Sequence, residues 1–263
     1  MHTFVIPVYK ESPYLEQCIQ SLINQTVKSD ILITTSTPTD YTLQLANKYG
    51  LGYHISNEKG IANDWNFALS KATTHLATIA HQDDIYEPDY TADIIRATTK
   101  NKANDVLIGF TGYIDLVNNR ARGWSLNSVV KKALLFPFIF SDTISNRYLK
   151  KLLLLFGDPI CCPSVTYNLE ALAGFQFSPN FTCTLDWYAW YLLAKQPGTF
   201  CFVNKKLIRH RIHPESETTI QLSQGIRKQE ELQMFKMMWG HKTAAFIAWI
   251  YTLGYADNKL KAD

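Results

Sequence analysis

The first hundred residues alternate short apolar runs with stretches of helical period, and that alternation restricts the possible folds more than any other feature of the chain. Phe4 to Val8 is an apolar run of the length of a strand covered on both faces. Ser12, followed by Pro13, has the chemistry of a helix N-cap and first helical position, and Leu15, Cys18, Ile19, Leu22 and Ile23 then share one helical face. Ile31 to Thr34 reads as a second strand; Thr37 with Pro38 opens a helix that Gly50 closes; Gly52 to Ile55 reads as a third strand. Ile61, Trp65, Ala68, Leu69 and Ala72 repeat with helical period before a fourth strand, Leu76 to Ala80, which stops at His81-Gln-Asp-Asp84. This order predicts an α/β fold with a mostly parallel sheet between helices. Ligands of such sheets gather at the carboxyl ends of the strands, where Tyr9-Lys10-Glu11, Thr35-Ser36 and His81 to Asp84 fall.

The second half is less regular. Asp105 to Leu116 reads as a strand bent at Gly109 or Gly112, Cys161 to Tyr167 as a strand, Leu185 to Ala194 as a helix, Phe200 to Ile212 as a hairpin or strand pair, and 221–255 as one or two closing helices. With no repeat or clear linker, the 263 residues read as one unit: a nucleotide-binding half (1–100), an acceptor-binding half (101–220) and C-terminal helices (221–263). A net charge of +3 is too small for a chain built to bind nucleic acid. The five cysteines, an odd number without C-x-x-C spacing, read as small core hydrophobes in a reducing compartment. The longest apolar run, Ala244 to Leu253, is too short for a membrane span, and the chain opens on a strand and not on a signal peptide, so the expected location is cytoplasmic.

Asp83-Asp84, with Glu87 and Asp89 close behind, is the strongest chemical signal. Carboxylates at the end of a buried strand suit a hard cation shared with a diphosphate. The plainer reading is a solvated turn before a helix that Pro88-Asp89 would start.

The order of these motifs resembles the GT-A glycosyltransferases of the family 2 type. Phe4-Val-Ile-Pro-Val-Tyr-Lys-Glu11 resembles that family's I-I-P-V-Y-N-E opening, and Leu15 to Thr26 its L-x-x-C-L-x-S-L-x-x-Q-T helix. Gly60 to Asp84 matches, without a gap, the stretch from G-L-S-x-A-R-N to D-S-D-D. The resemblance is firm over 3–90 and weaker over 160–215. It implies a GT-A fold and inverting transfer of a sugar from a nucleoside diphosphate sugar, with Mn²⁺ or Mg²⁺ as cofactor. Asp83 would hold the metal, and Asp84 would support it or touch the donor, beside Gln82. Pro7, Tyr9 and Glu11 would line the nucleotide pocket, and Lys59 to Asn66 would close it.

Thr35-Ser36 stands where the family carries aspartates that meet the base; a hydroxyl both donates and accepts, so a UDP-sugar stays favoured. His81 replaces the first acid of the D-x-D pattern and would bond a ribose hydroxyl, ligate a softer metal such as Mn²⁺, or simply cap the strand. Inversion also needs a base for the acceptor hydroxyl. Thr184-Leu-Asp-Trp-Tyr-Ala-Trp190 resembles the family's E-D motif with Leu185 in place of the glutamate, which makes Asp186 the base; a first-turn aspartate favoured by the helix dipole is the plainer reading. In Ile208 to Thr218, Arg209 and Arg211 share a strand face suited to phosphate, His210 points away, and His213 is placed at the metal or the phosphate.

Residues 120–151 hold seven Lys or Arg and one acid. They read either as surface helices over the acceptor cleft or, with Arg147, Lys150 and Lys151 beside Leu152 to Phe156, as a patch for anionic lipid on the inner face of the membrane. Gln224-Gly-Ile-Arg227 resembles the Q-x-x-R-W signature of processive synthases, but Lys228 replaces the tryptophan, so single addition is expected. The resemblance thus implies addition of one sugar to a glycan or lipid-linked acceptor in a bacterial surface polysaccharide such as capsule or lipopolysaccharide. The competing expectation is an idle domain of the same fold that binds sugar or nucleotide. A nicotinamide dehydrogenase is excluded by the lack of G-x-G-x-x-G after the first strand.

Overall fold

The computed structural model describes residues 1–100, 105–123, 125–213 and 225–253. Strand β1 (His2–Val8) lies in the interior of the sheet, and six of its seven residues are buried. Parallel to it run β2 (Asp30–Thr35) and β4 (Leu76–Ile79), and β3 (Gly52–Ile55) pairs with the outer side of β2. Beyond β4 the antiparallel β9 (Val165–Asn168) leads to β6 (Val106–Val117), which pairs in parallel with the long β10 (Thr199–Ile212). The edge strand β5 (Ile85–Tyr86) runs antiparallel to β10, giving the order β3-β2-β1-β4-β9-β6-β10-β5. Short β7 (Arg120–Ala121) and β8 (Thr143–Ile144) pair with β6 and β10. The sheet is mostly parallel, as expected.

Helices α1 (Leu15–Ile23), α2 (Asp40–Tyr49) and α4 (Tyr90–Thr99) cover one face. Leu15, Cys18, Ile19 and Leu22 of α1 all lie inside that core, each large side chain adding roughly 1.5–3 kcal/mol of transfer free energy. The other face is covered by α3 (Ile61–Ser70), α7 (Leu185–Lys195), α8 (Ile226–Trp239) and α9 (His241–Leu253). Two more helices, α5 (Leu126–Leu134) and α6 (Arg147–Leu152), lie in the basic segment.

Local chemistry shifts several boundaries from those expected. Tyr14, not Ser12, is the N-cap of α1, because the Ser12 hydroxyl is turned toward Asp83. Helix α2 starts after Thr39, which forms a capping box with Thr42; Thr37 instead accepts the Lys10 amide. Pro163 converts the start of the strand expected from Cys161 into a 3₁₀ turn over Cys162–Ser164. The expected hairpin over 200–212 is one strand: β10 absorbs its polar middle as a bulge between Val203 and Ile208, opposite Gly112. A Cβ on Gly112 would come within 3.0 Å of the Lys205 carbonyl, so only glycine allows the bulge to close. The irregularity expected at Gly109 or Gly112 is in β10 instead: β6 pairs residue by residue through both glycines, and the bulge sits opposite Gly112. The rest of that motif, Pro214 to Thr218, and Gln224 lie outside the described residues.

Candidate functional site

At the carboxyl edge of the sheet, Asp83 from the end of β4 meets His213 from the end of β10, with Nε2 3.0 Å from Oδ2. The other oxygen, Oδ1, accepts the Ser12 hydroxyl at 2.9 Å. The His213 ring packs on Tyr14 and borders a cavity of about 100 Å³ shared with Asn118, Asn119 and Arg211. Among the described residues no group of three His, Cys, Asp or Glu side chains could hold a metal by itself. One carboxylate and one imidazole leave most coordination positions to substrate oxygens and water, the donor set of a cation bound jointly with a diphosphate, so these residues fit Mn²⁺ or Mg²⁺.

Asp84 is only 1% exposed and supports the edge from beneath. It accepts the Arg211 amide at 2.8 Å and faces His210 Nδ1 at 3.2 Å. Burial alone would raise its pKa, but His210, His81 and the Arg211 amide bring it below the ordinary carboxylate range. His210 shifts upward: burial opposes its charge, and Asp84 outweighs burial. His210 was expected to point away; its ring instead faces the Asp84 carboxylate, whose burial beneath the edge leaves it in need of a donor. Arg211, 4% exposed, donates to the Asp83 carbonyl, Gln17 and Asn119, and stacks on Tyr14. Its guanidinium holds the loop at Asp83 and is not free to grip a phosphate, and Arg209 is paired with Glu87.

On the α3 side of the edge, four buried polar atoms have no hydrogen-bond partner: Thr34 Oγ1, Ser36 Oγ, Asp64 Oδ1 and His81 Nε2. Leaving such groups unpaired costs about 1–3 kcal/mol each, and Tyr167 Oη and Trp190 Nε1 in the core are unpartnered in the same way. Burial pushes the Asp64 carboxyl up, with Ser36 pulling the other way, and burial pushes His81 down against the pull of Asp84. The His81 ring packs at a tilt against Trp65, with ring centroids 5.4 Å apart. Pro7 is half-buried at the same edge, and Tyr9, 51% exposed, is joined to Gln82 through its amide and carbonyl. Glu11 and Lys59 are exposed. Two expected donor contacts are used elsewhere: Thr35 Oγ1 accepts the Thr37 amide, and the Asn66 amide pairs on both sides with the backbone of Phe177. Ser36 and Asp64, which interact with each other, stand at this edge in place of Thr35 and Asn66.

Asp186 stands in the first turn of α7 and accepts the Trp187 amide at 2.8 Å. Burial raises its pKa, against the pull of that amide, Arg227 and Lys131. Asp158, which accepts the Ile160 amide, is raised by burial and by Asp186 itself, so the pair favours one shared proton. Sequence reasoning missed Asp158 and Lys131, whose only signal was charge within otherwise apolar or basic segments, and named Arg227 only as part of the Q-x-x-R resemblance without a role at Asp186. Burial pushes the Cys161 thiol up, and the Asp84 and Asp186 charges both add to that shift. A separate cleft of about 570 Å³ lined by Asp93, Arg96, Lys100 and Lys205 contains none of these groups.

The family profile "Glycosyl transferase family 2" matches residues 3–168. An uncharacterized glycosyltransferase of Rickettsia typhi is 22% identical over 247 residues, covering 90% of this chain and 70% of that protein. The chondroitin synthase of Pasteurella multocida is 32% identical over 103 residues, 37% of this chain and 11% of the synthase. The S. aureus TarS 1–349 structure in complex with UDP-GlcNAc superposes with a TM-score of 0.64 at 14% identity, covering 97% of this chain and 72% of that one. The mannosyltransferase PcManGT of Pyrobaculum calidifontis in complex with GDP-Man and Mn²⁺ gives 0.61 at 12% identity, covering 100% and 76%. These structures share the GT-A fold with the sheet described above, and with the profile spanning more than half of its length the chain belongs to glycosyl transferase family 2 and is a glycosyltransferase.

Proposed function

We propose that the protein is an inverting, metal-dependent transferase that moves one sugar from a nucleoside diphosphate sugar, UDP-sugar favoured, to a glycan or lipid-linked acceptor of a surface polysaccharide. The observation that carries this reading is the meeting of Asp83 and His213 at the sheet edge, beside four unpartnered polar atoms and with a raised carboxyl at Asp186. Asp83 and His213 hold the cation, which when bound neutralises charge on the departing diphosphate. Thr34, Ser36 and His81 face the nucleoside, and Asp64 accepts an N–H of the base. Asp186 takes the proton of the acceptor hydroxyl as its oxygen bonds to the anomeric carbon; the bond from that carbon to the diphosphate oxygen breaks on the opposite side, which inverts the centre. The idle-domain reading gains no support, since both carboxylates it would have lost are in place.

A panel of nucleotide sugars, each with and without Mn²⁺, tests this by thermal shift, since a ligand of the native state raises apparent stability. A donor shift that needs no metal, or none for any nucleoside diphosphate sugar, would refute the reading.

Among the described residues no helix is long and apolar enough to cross a membrane. The patch expected at Lys150 and Leu152 to Phe156 is not a continuous surface, since Lys150 is buried with its Nζ donating to the Gln196 and Gly198 carbonyls and Leu153 and Leu154 lie in the core. We propose peripheral contact instead through Ile139, Phe140, Tyr148 and Leu149, of which Phe140 is 95% exposed. Loss of cosedimentation with anionic vesicles in Phe140→Ser is the expected result, and unchanged cosedimentation would exclude this surface.

A further inference from the structure

We infer that Glu230 of α8 is the positioning residue for Asp186, capping the amino terminus of α7 from the neighbouring helix and so fixing where the base stands. Its Oε1 accepts the Thr182 amide at 2.9 Å and the Thr182 hydroxyl at 2.8 Å. Its Oε2 accepts the Cys183 amide at 2.8 Å, the Thr184 amide at 2.9 Å and the Thr184 hydroxyl at 3.2 Å. Both carboxylate oxygens thus serve the three residues that precede α7. Thr184, the N-cap, makes no side-chain cap bond of its own because its hydroxyl is turned to Glu230. A carboxylate at this end also faces the positive end of the helix dipole. The donors outweigh the cost of burying Glu230, whose pKa lies below the ordinary range.

Asp186 follows Thr184 by two residues on the same helical turn, so the cap and the base move as one. Helix α8 is itself held in register: Met234 and Phe235 are buried, Phe235 packs edge-on against Trp187, and Arg227 pairs with Glu231 at 2.8 Å. Arg227 is also a charge that Asp186 feels. Helix α8 therefore reaches the base twice, once through its position and once through its charge.

This inference rests on the reading of Asp186 as the base, and the test separates the two. Full-length Glu230→Ala, Glu230→Gln and Asp186→Asn are compared by kcat, donor KM and hydrogen exchange of the 182–185 amides. Glu230→Ala is expected to lower kcat about 100-fold, the size of loss that a small misplacement of a reacting group causes, with donor KM unmoved and the amides exposed to exchange. Glu230→Gln keeps one acceptor oxygen and the fold, and is expected to fall between Glu230→Ala and wild type in both readouts. If Glu230→Gln turns over like wild type while Asp186→Asn is inactive, the positioning role is overturned and the base stands. If Asp186→Asn turns over like wild type, the base reading falls and this role falls with it. A loss in the Glu230 variants that appears in donor KM and not in kcat also overturns it.

Discussion

Asp83 Oδ2 and His213 Nε2 lie 3.0 Å apart at the ends of two strands that never pair, β4 and β10. Ser12 fixes the rotation of the carboxylate by donating to its other oxygen, so Oδ2 stays turned toward His213. Ser12→Ala leaves both proposed ligands and removes only this support, and such outer partners are worth about 10–100-fold in metal affinity. The Mn²⁺ concentration for half-maximal activity should rise by that factor while kcat at saturating metal holds. EDTA should abolish transfer and Mn²⁺ restore it. Activity that survives exhaustive chelation would remove the cation from the scheme.

The pair Asp158 and Asp186 makes opposite predictions for two isosteric changes. Asp186 as base must be ionised, so Asp186→Asn should lower kcat by about 10³-fold with donor binding intact. Asp158 is the partner whose charge Asp186 disfavours, so with Asp186 as the base an amide should replace Asp158 with little loss, and Asp158→Asn should stay near wild type. Beside Asp158, the ionisable groups that interact with Asp186 are Lys131 from α5, Cys161, Cys162, Tyr167 from β9 and Arg227 from α8. Arg227 lowers the pKa of Asp186, so Arg227→Met raises it. The base is then ionised only at higher pH, and the acid limb of the kcat profile should move upward. A limb that stays put, or moves down, contradicts the assignment.

Asp64 sits in the first turn of α3 with Oδ1 unpartnered, near Ser36. Removing a carboxyl that reads an N–H of the base should weaken the donor without touching the reacting atoms. Asp64→Ala is therefore expected to raise donor KM about 10-fold or more, the cost of a charged hydrogen bond, at nearly constant kcat. Comparison of UDP-, GDP- and dTDP-sugars in wild type and variant reads it out; a loss in kcat alone would place Asp64 outside base recognition.

Much of the sheet could be read from the sequence because its strands are apolar runs with punctuation the chain cannot hide, from Phe4–Val8 to the stop at His81. The strand over 199–212 was misread because Asn204, Lys205 and Lys206 look like a turn, and only the close approach of Gly112 shows them to be a bulge. Asp83 and His213 were named from motif order, yet their contact is made by strands that never pair. Arg209, Arg211, Thr35 and Asn66 carried the right chemistry for a donor site, but their polar atoms are satisfied by Glu87, Asp83, Thr37 and Phe177. Satisfaction is a tertiary property that composition does not encode. Asp158 and Glu230 escaped for the same reason, since each gains meaning only from groups distant in sequence.

His2 shows how the same buried polar chemistry governs stability. It lies at the start of β1, with Nε2 2.8 Å from Thr78 Oγ1 and Nδ1 3.0 Å from Ser29 Oγ, in a network that continues to Thr166 and Tyr90. Burial brings its pKa down to about 3, with the nearby N-terminal amine adding to the shift. Unfolded, the imidazole titrates near ~6.5. Between those values the unfolded chain binds the proton and the folded chain does not, so stability falls as pH drops from about 6.5 toward 3, by up to about 1.4 kcal/mol per pH unit. His2→Gln keeps a donor and an acceptor and cannot be protonated in this range. It should cost some stability at pH 7 through imperfect packing, and lose less than wild type on acidification. Urea unfolding at pH 7, 6, 5 and 4 measures the difference between the two curves, which should narrow steadily as pH falls; parallel curves would mean that His2 is not buried neutral.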